Sequence, residues 1–307
     1  MKFGIIGIGD IAQKAYLPIV TTIEECDLIL FSKDEQKLKN IQKKYKAVDY
    51  VTDLLSLSQQ VDAVFIHAAT EAHFNYCNYF LDKGIPVYVD KPISYRLHEI
   101  KQLFELAESR NVLFRTGFNR RHAPMISSLH AEGTPDMLIY QKNRLYLPND
   151  IRTFIFDDFI HVVDTLRFLI NAPIDKVSAS GQFAEGKLLS VMLRFNSEKT
   201  MAVGIMNRNS GRNEEVIEVF MDGKKHIIEN LNTKKELSMN REKIYQFNDW
   251  LPVLHRRGFE NIIETFLNEL QDGKHFRPQD LDSLKTHEIC EEIVTQLESK
   301  ARELHQL

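Results

Sequence analysis

Cysteine is scarce in this chain: Cys26, Cys77 and Cys290 are the only three in 307 residues. They stand singly, without metal-ligand or paired-redox spacing. That excludes a disulfide framework and a zinc-dependent chemistry built on thiolates, suits a reducing compartment, and leaves all three as structural residues. No apolar run approaches the length of a membrane span, and the amino terminus lacks a charged stretch, apolar core and cleavage site. No membrane partner is therefore expected, and the expected location is cytoplasmic. Surplus charge of one sign is missing as well: 39 Lys and Arg face 43 Asp and Glu, interspersed, for a formal net charge of -4. Without a basic stripe there is no electrostatic footprint for nucleic acid. Internal repeats and low-complexity tracts are also absent. What remains, 43% hydrophobic and 27% charged residues, is an ordinary globular composition in a chain long enough for two domains.

The first third alternates short β-rich runs with helical patterns. Strands are expected at Phe3 to Ile6, Leu28 to Phe31, Ala63 to His67, Val87 to Val89 and Leu113 to Thr116, with helices at Ile11 to Thr22, Glu35 to Tyr45, His73 to Lys83 and Arg96 to Arg110. That alternation predicts a doubly wound parallel sheet. After Gly117-Phe118-Asn119 the pattern changes. Asp157 to Ile170 reads as one helix, and Val177 to Ser180, Leu188 to Phe195, Thr200 to Met206 and Glu215 to Met221 as alternating strands, with a hairpin turn at Asp222-Gly223. Helices are expected again at Gly258 to Gln271 and Leu281 to Leu304. The fold class is thus α/β: a Rossmann domain over residues 1–122, with 275–307 packing back on it, and an α+β domain over 123–274 with a large, mostly antiparallel open sheet.

Three segments carry chemistry. In the first, Lys2-Phe3-Gly4-Ile5-Ile6-Gly7-Ile8-Gly9-Asp10-Ile11-Ala12, an apolar strand runs into glycines spaced to cradle a dinucleotide pyrophosphate. Gly7 permits the tight turn, Gly9 lets backbone amides approach the phosphates, and Ala12 lets helix pack on strand. The helix from Ile11 points its positive end at the anion.

The second segment, Val87-Tyr88-Val89-Asp90-Lys91-Pro92, delivers a charged pair to the carboxyl end of a buried strand, where open α/β sheets bind ligands. Taken alone, Lys91 reads equally as a donor to a substrate oxygen and as a solvated strand-end lysine.

The third, Asp157 to Asp164, is a helix apolar almost all round. At about 100° per residue, His161 falls about 40° and Asp164 about -20° from Asp157, a narrow polar stripe. A buried histidine with a carboxylate one turn earlier suits proton transfer; the plainer alternative is an N-cap at Asp157 and a hydrogen-bonded core histidine. Weaker candidates are the loop bracketed by His67 and His73, the latter of which reads equally as the start of a helix, and Asn119-Arg120-Arg121, a substrate or phosphate contact or an interdomain salt bridge.

Together these segments resemble the glucose-fructose oxidoreductase, inositol dehydrogenase and rhizopine catabolism (Gfo/Idh/MocA) family. Within it the chain is most similar to the MviM group, through Asp10-Ile11-Ala12-Gln13-Lys14-Ala15, Gly117-Phe118-Asn119-Arg120-Arg121 and Asp158-Phe159-Ile160-His161-Val162-Val163-Asp164. The resemblance implies an NAD(P)-dependent oxidoreductase acting on a carbohydrate-like small molecule, assembled as a homodimer or homotetramer through the sheet face. It implies that Lys91 touches the reacting hydroxyl, that His161 is the general acid/base assisted by Asp157, and that the Lys91-Pro92 peptide is cis. The expected cofactor-binding set is Gly7, Gly9, Asp10, Ile11, Ser32, Lys33, Ala68, Thr70, His73, Asp90 and Lys91; Asn119, Arg120 and Asp164 are expected at the substrate. Ser32 stands where NAD-binding chains carry an acid and Lys33 suits a 2′-phosphate, so NADP is expected ahead of NAD, with Asp34 keeping NAD open. Two residues depart from the family pattern: Asp90 replaces a glutamate and Phe159 a glycine. They motivate the alternative, a catalytically silent dinucleotide-binding sensor or scaffold.

Overall fold

The structure, a computed structural model, describes residues 1–305 apart from 25, 46–48 and 274. It divides into two units, Met1–Phe118 with Phe259–Leu284, and Asn119–Gly258 with Lys285–Leu307.

In the first unit six strands, β1 (Lys2–Ile6), β2 (Asp27–Phe31), β3 (Asp49–Val51), β4 (Ala63–Ile66), β5 (Val87–Val89) and β6 (Phe114–Thr116), form one parallel sheet in the order β3-β2-β1-β4-β5-β6. Their sequences are continuous apolar runs because helices cover both faces; Phe3, Ile5, Val64, Phe65 and Val87 are wholly buried. The strand order reverses between β1 and β4, the switch point at which such sheets open a ligand crevice.

The returning segment is Phe259–Leu284, so that of the expected 275–307 only 275–284 lies in this unit, and the segment begins earlier for a visible reason. The helix Phe259–Gln271 buries Ile262, Ile263, Phe266 and Leu270, and the Phe266 ring sits 5.3 Å from Phe65 and 5.5 Å from Tyr88. Each such aromatic contributes about 1.5–3 kcal/mol by burial.

The second unit is built on eight strands: β7 (Met137–Asn143), β8 (Lys176–Ala184), β9 (Lys187–Asn196), β10 (Met201–Asn207), β11 (Glu214–Met221), β12 (Lys224–Glu229), β13 (Thr233–Ser238) and β14 (Arg241–Gln246). They are ordered β14-β13-β12-β11-β7-β10-β9-β8. Only the β7–β10 pair is parallel. Asp222 and Gly223, both at positive φ, make the tight turn between β11 and β12.

Helical residues 151–170 lie on this sheet; a Cβ at Gly204 would stand 2.7 Å from Val162 Cγ1, so the helix packs close only because β10 carries no side chain there. The helix Asp282–His305 guards the β8 edge. Gln296 accepts from the Ala179 N–H at 2.8 Å and donates to the Val177 carbonyl at 3.1 Å, pairing edge groups that would otherwise recruit another strand. Among the described residues no helix is long and apolar enough to cross a membrane.

Candidate functional site

In the first unit the carboxyl ends of β1, β4 and β5 gather the expected cofactor residues. Gly7 has φ +86°, and a Cβ there would fall 2.3 Å from the Ala68 nitrogen, so the turn is closed to any other residue. At Gly9 nothing lies within 4 Å of where a Cβ would stand. The helix that follows leaves its first N–H groups directed into that open space, so the loop fits a pyrophosphate. Asp10 is exposed and pairs with Lys14 at 2.8 Å, and Ile11 is 37% exposed.

At the end of β2, Asp34 is committed to the next helix: its carboxylate accepts from the Lys37 N–H at 3.0 Å. Ser32 and Lys33 are left at the strand exit, with the Ser32 hydroxyl accepting from the Asp34 N–H at 3.1 Å.

His73 is buried with each ring nitrogen on a carbonyl, Nδ1 2.9 Å from Pro92 O and Nε2 2.9 Å from Ala68 O. It fastens the loop after β4, with Ala68 and Thr70, to the exit of β5, where Asp90 and Lys91 are half-buried. Burial lowers the imidazole pKa while the two carbonyls and Asp90 oppose the change. The Lys91-Pro92 peptide is cis, as the resemblance implies.

Beneath this exit lies a network the sequence reading did not assemble. Tyr16 and Tyr88 hydroxyls meet at 3.1 Å, Tyr16 reaches Asp90 Oδ1 at 3.5 Å, and the same oxygen accepts the Lys91 N–H at 2.9 Å. A Cβ on Gly117 would lie 2.9 to 3.2 Å from all three side chains, which explains the glycine in Gly117-Phe118-Asn119. Burial raises the Asp90 carboxyl, against the pull of Lys91, and raises the Tyr16 phenol. His67 stacks on Tyr16 at 3.8 Å between centroids, and burial pushes it down to about 3.

In the second unit Asp157 and His161 share helical residues 151–170, but the helix starts earlier than expected. Asp150 is the N-cap, its carboxylate accepting from Thr153 N–H, so Asp157 is not a cap. A π-helical turn at Ile155–Phe159 widens the winding just where the two aspartates sit, so the simple 100° count does not hold across it. Asp157 is half-buried and His161 buried. Phe159 points at the sheet, its ring 3.6 Å from where a Gly204 Cβ would stand, and is wholly buried.

The remaining candidates are tied internally. Asp164 is held bidentately by Arg121 at 2.8 and 2.6 Å and by Thr286 at 2.9 Å. Arg120 forks onto Glu215 at 2.6 and 3.0 Å. Asn119 donates to the Arg257 carbonyl at 2.8 Å. These are the salt-bridge and core readings of those residues.

The strongest electrostatic feature, Asp158, was not singled out in the sequence. It is bound by Lys142, by Arg144 at 2.7 and 3.0 Å, and by Arg208 at 3.4 Å. Despite burial these cations hold its carboxyl well below the usual range. One sequence signal existed: Lys142 stands in period-two register with the buried Leu138 and Tyr140 of β7, a position that faces the core.

Comparison with known proteins agrees with this construction. The model of an oxidoreductase family with an NAD-binding Rossmann fold, Gfo/Idh/MocA, matches residues 1–118. That of a YceM-like C-terminal domain matches residues 136–239. YceM of Salmonella typhimurium, named as an oxidoreductase, is 30% identical over 277 residues, covering 89% of this chain and 90% of that protein. Among solved structures, a Gfo/Idh/MocA family oxidoreductase from Vibrio cholerae superposes with TM-score 0.93 at 32% identity, over 98% of this chain and 99% of that one. A dehydrogenase (MviM) from Clostridium difficile gives 0.91 at 28%, over 97% and 99%.

Proposed function

From a chain that belongs to the Gfo/Idh/MocA oxidoreductase family, we propose an NAD(P)-dependent dehydrogenase or reductase acting on a carbinol or carbonyl carbon of a sugar, polyol or cyclitol-like substrate. One observation carries this reading: Gly7 is packed on Ala68, Ala68 is held by His73, and His73 is held by Pro92. The glycine turn and Lys91 therefore open on one crevice. Gly7, Gly9, Asp10 and Ile11 hold the pyrophosphate at the helix amino terminus, and Ala68, Thr70 and His73 shape the wall beyond it. When bound, the nicotinamide supplies or accepts the hydride.

Lys91 donates a hydrogen bond to the reacting oxygen and favours its alkoxide character. His161 takes the hydroxyl proton in oxidation and returns it in reduction, and Asp157 orients the imidazole. NADP is the preferred cofactor. Asp34, the acid that would favour NAD, is spent on capping, while Ser32 and Lys33 stand at the 2′ position. The reading includes a homodimer or homotetramer joined through the outer sheet face, where Met192 and Met201 are exposed; light scattering in solution measures it.

The test is hydride transfer from 4-deuterated NADPH to a panel of carbonyl sugars and inososes, read by mass spectrometry. Deuterium in a product is expected, with Lys91→Ala and His161→Ala each slowing transfer by about 10²–10⁴-fold while NADPH fluorescence on binding is kept in His161→Ala. Unchanged turnover in either variant overturns its role. Cofactor binding without transfer to any substrate supports the silent sensor instead.

A further inference from the structure

Beside Asp157 the second unit gathers several cations on one shared carboxylate. Three cations, Lys142, Arg144 and Arg208, share the single carboxylate of Asp158. The neighbouring acid, Glu215, is already occupied by the Arg120 fork and the Tyr140 hydroxyl. Arg257 adds further positive charge within range of Arg120 and Arg144.

Burial makes this arrangement expensive, since Lys142 and Arg208 lose their water and lean on a carboxylate that Arg144 also holds. Arg208 shows the shortfall at a single atom. Its side chain is 3% exposed and lies over the Phe154 ring at 4.5 Å, yet its Nε–H finds no acceptor among the described residues. A buried charged donor left unmade costs more than a neutral one, so the geometry calls for an acceptor. Arg144, one-third exposed, connects the cluster to solvent. Burial lowers the Lys142 ammonium to about 7, with Arg120 and Arg144 adding to the fall and Asp158 and Glu215 opposing it.

We infer that Arg144 and Arg208 form a subsite for an anionic group of the substrate, a carboxylate or a phosphate, beside the helix that carries Asp157 and His161. The five N–H donors of a guanidinium exceed the two that Arg144 spends on Asp158, which a lysine's point charge does not offer in a fixed fork. The cluster lies beside that helix because Asp158, 3.4 Å from Arg208, belongs to its π-helical turn. The substrate is then a sugar acid or a sugar phosphate rather than a neutral polyol, which rests on the dehydrogenase reading and narrows it.

The experiment is a thermal-shift and calorimetric titration of the full chain, saturated with NADPH, with D-glucuronate, D-glucose 6-phosphate and D-glucose in parallel. At least one of the two anionic sugars is expected to bind saturably where glucose does not, and the one that responds identifies carboxylate or phosphate. Arg144→Gln is expected to weaken that binding about 10- to 100-fold, with Arg144→Lys recovering part of it and NADPH affinity unchanged in both. Arg208→Met is the second variant, should the first leave enough charge to bind.

Equal binding of glucose and the anions, no binding of either anion, or affinity indifferent to both substitutions overturns the subsite. Hydride transfer confined to a neutral polyol also overturns it while leaving the dehydrogenase intact. Arg144-dependent anion binding with no hydride transfer to any sugar sustains the subsite and sinks the dehydrogenase.

Discussion

Around the carboxyl ends of β1, β4 and β5 the polar groups that matter belong largely to the backbone: the amides after Gly7, the carbonyls of Ala68 and Pro92, and the Lys91 N–H on Asp90. Around Asp158 in the second unit they are side-chain charges brought from β7 and from Arg208 just after β10. The first arrangement is set by shape and fixed dipoles, and at Gly7 and Gly117 it leaves no room for extra atoms. The second is set by charge and is sensitive to any change in the count of ions. A chemistry common to many substrates fits the first, and the choice of substrate fits the second.

That contrast is sharpest at Asp158. Asp158→Asn leaves the buried Lys142 and Arg208 and the part-exposed Arg144 without their shared anion and is expected to cost about 3–5 kcal/mol, read as a lowered midpoint in urea; a loss below about 1 kcal/mol would show that the cations are solvated after all. Acid tests the same region. Arg120, against the cost of burial, lowers the Glu215 carboxyl to about 2, below its unfolded value. Its contribution is thus fully present above the ordinary glutamate range and is lost as pH falls through that range toward about 2. Unfolding midpoints of Glu215→Gln measured against pH should show a shallower acid decline than the parent chain; parallel curves would remove Glu215 from the account.

In the backbone-built region the expected losses are smaller and steric. Gly117→Ala pushes a methyl against Tyr88, Tyr16 and Asp90 and is expected to cost about 1–3 kcal/mol by thermal unfolding, with Lys91-dependent turnover falling in step. A silent Gly117→Ala would mean that the tyrosine network yields freely. Smallest is the cofactor edge: Ser32→Asp should move the ratio of NADPH to NADH affinity toward NADH by about tenfold, through repulsion of the 2′-phosphate and hydrogen bonds to the 2′-OH. An unmoved ratio would place the 2′ site elsewhere.

The same division decides what could be read from the residues. The glycine turn, β4, β5 and the Asp90-Lys91 exit were legible because local order fixes them: an apolar run, then glycine, then a helix. β12 and β13 were not, since Lys-Lys-His-Ile-Ile-Glu and Thr-Lys-Lys-Glu-Leu-Ser place lysine and glutamate among few apolar residues, as a solvated segment would. Asp157 and His161 were found by spacing, but the π-helical turn that sets their relative phase leaves no mark in composition. Asp158 hides for another reason. Lys142, Arg144 and Arg208 lie 14 to 50 residues away along the chain, and only the sheet brings them together. The ion pairs of Arg120 with Glu215 and of Asp164 with Arg121 were likewise not legible, since their members lie far apart along the chain.

The proposal that Lys91 and His161 act on one substrate oxygen is tested most directly by a double-mutant cycle in kcat/KM for hydride transfer, with Lys91→Ala, His161→Ala and the pair. Residues acting as one unit predict a double variant little worse than the worse single one. Losses that multiply independently would contradict it.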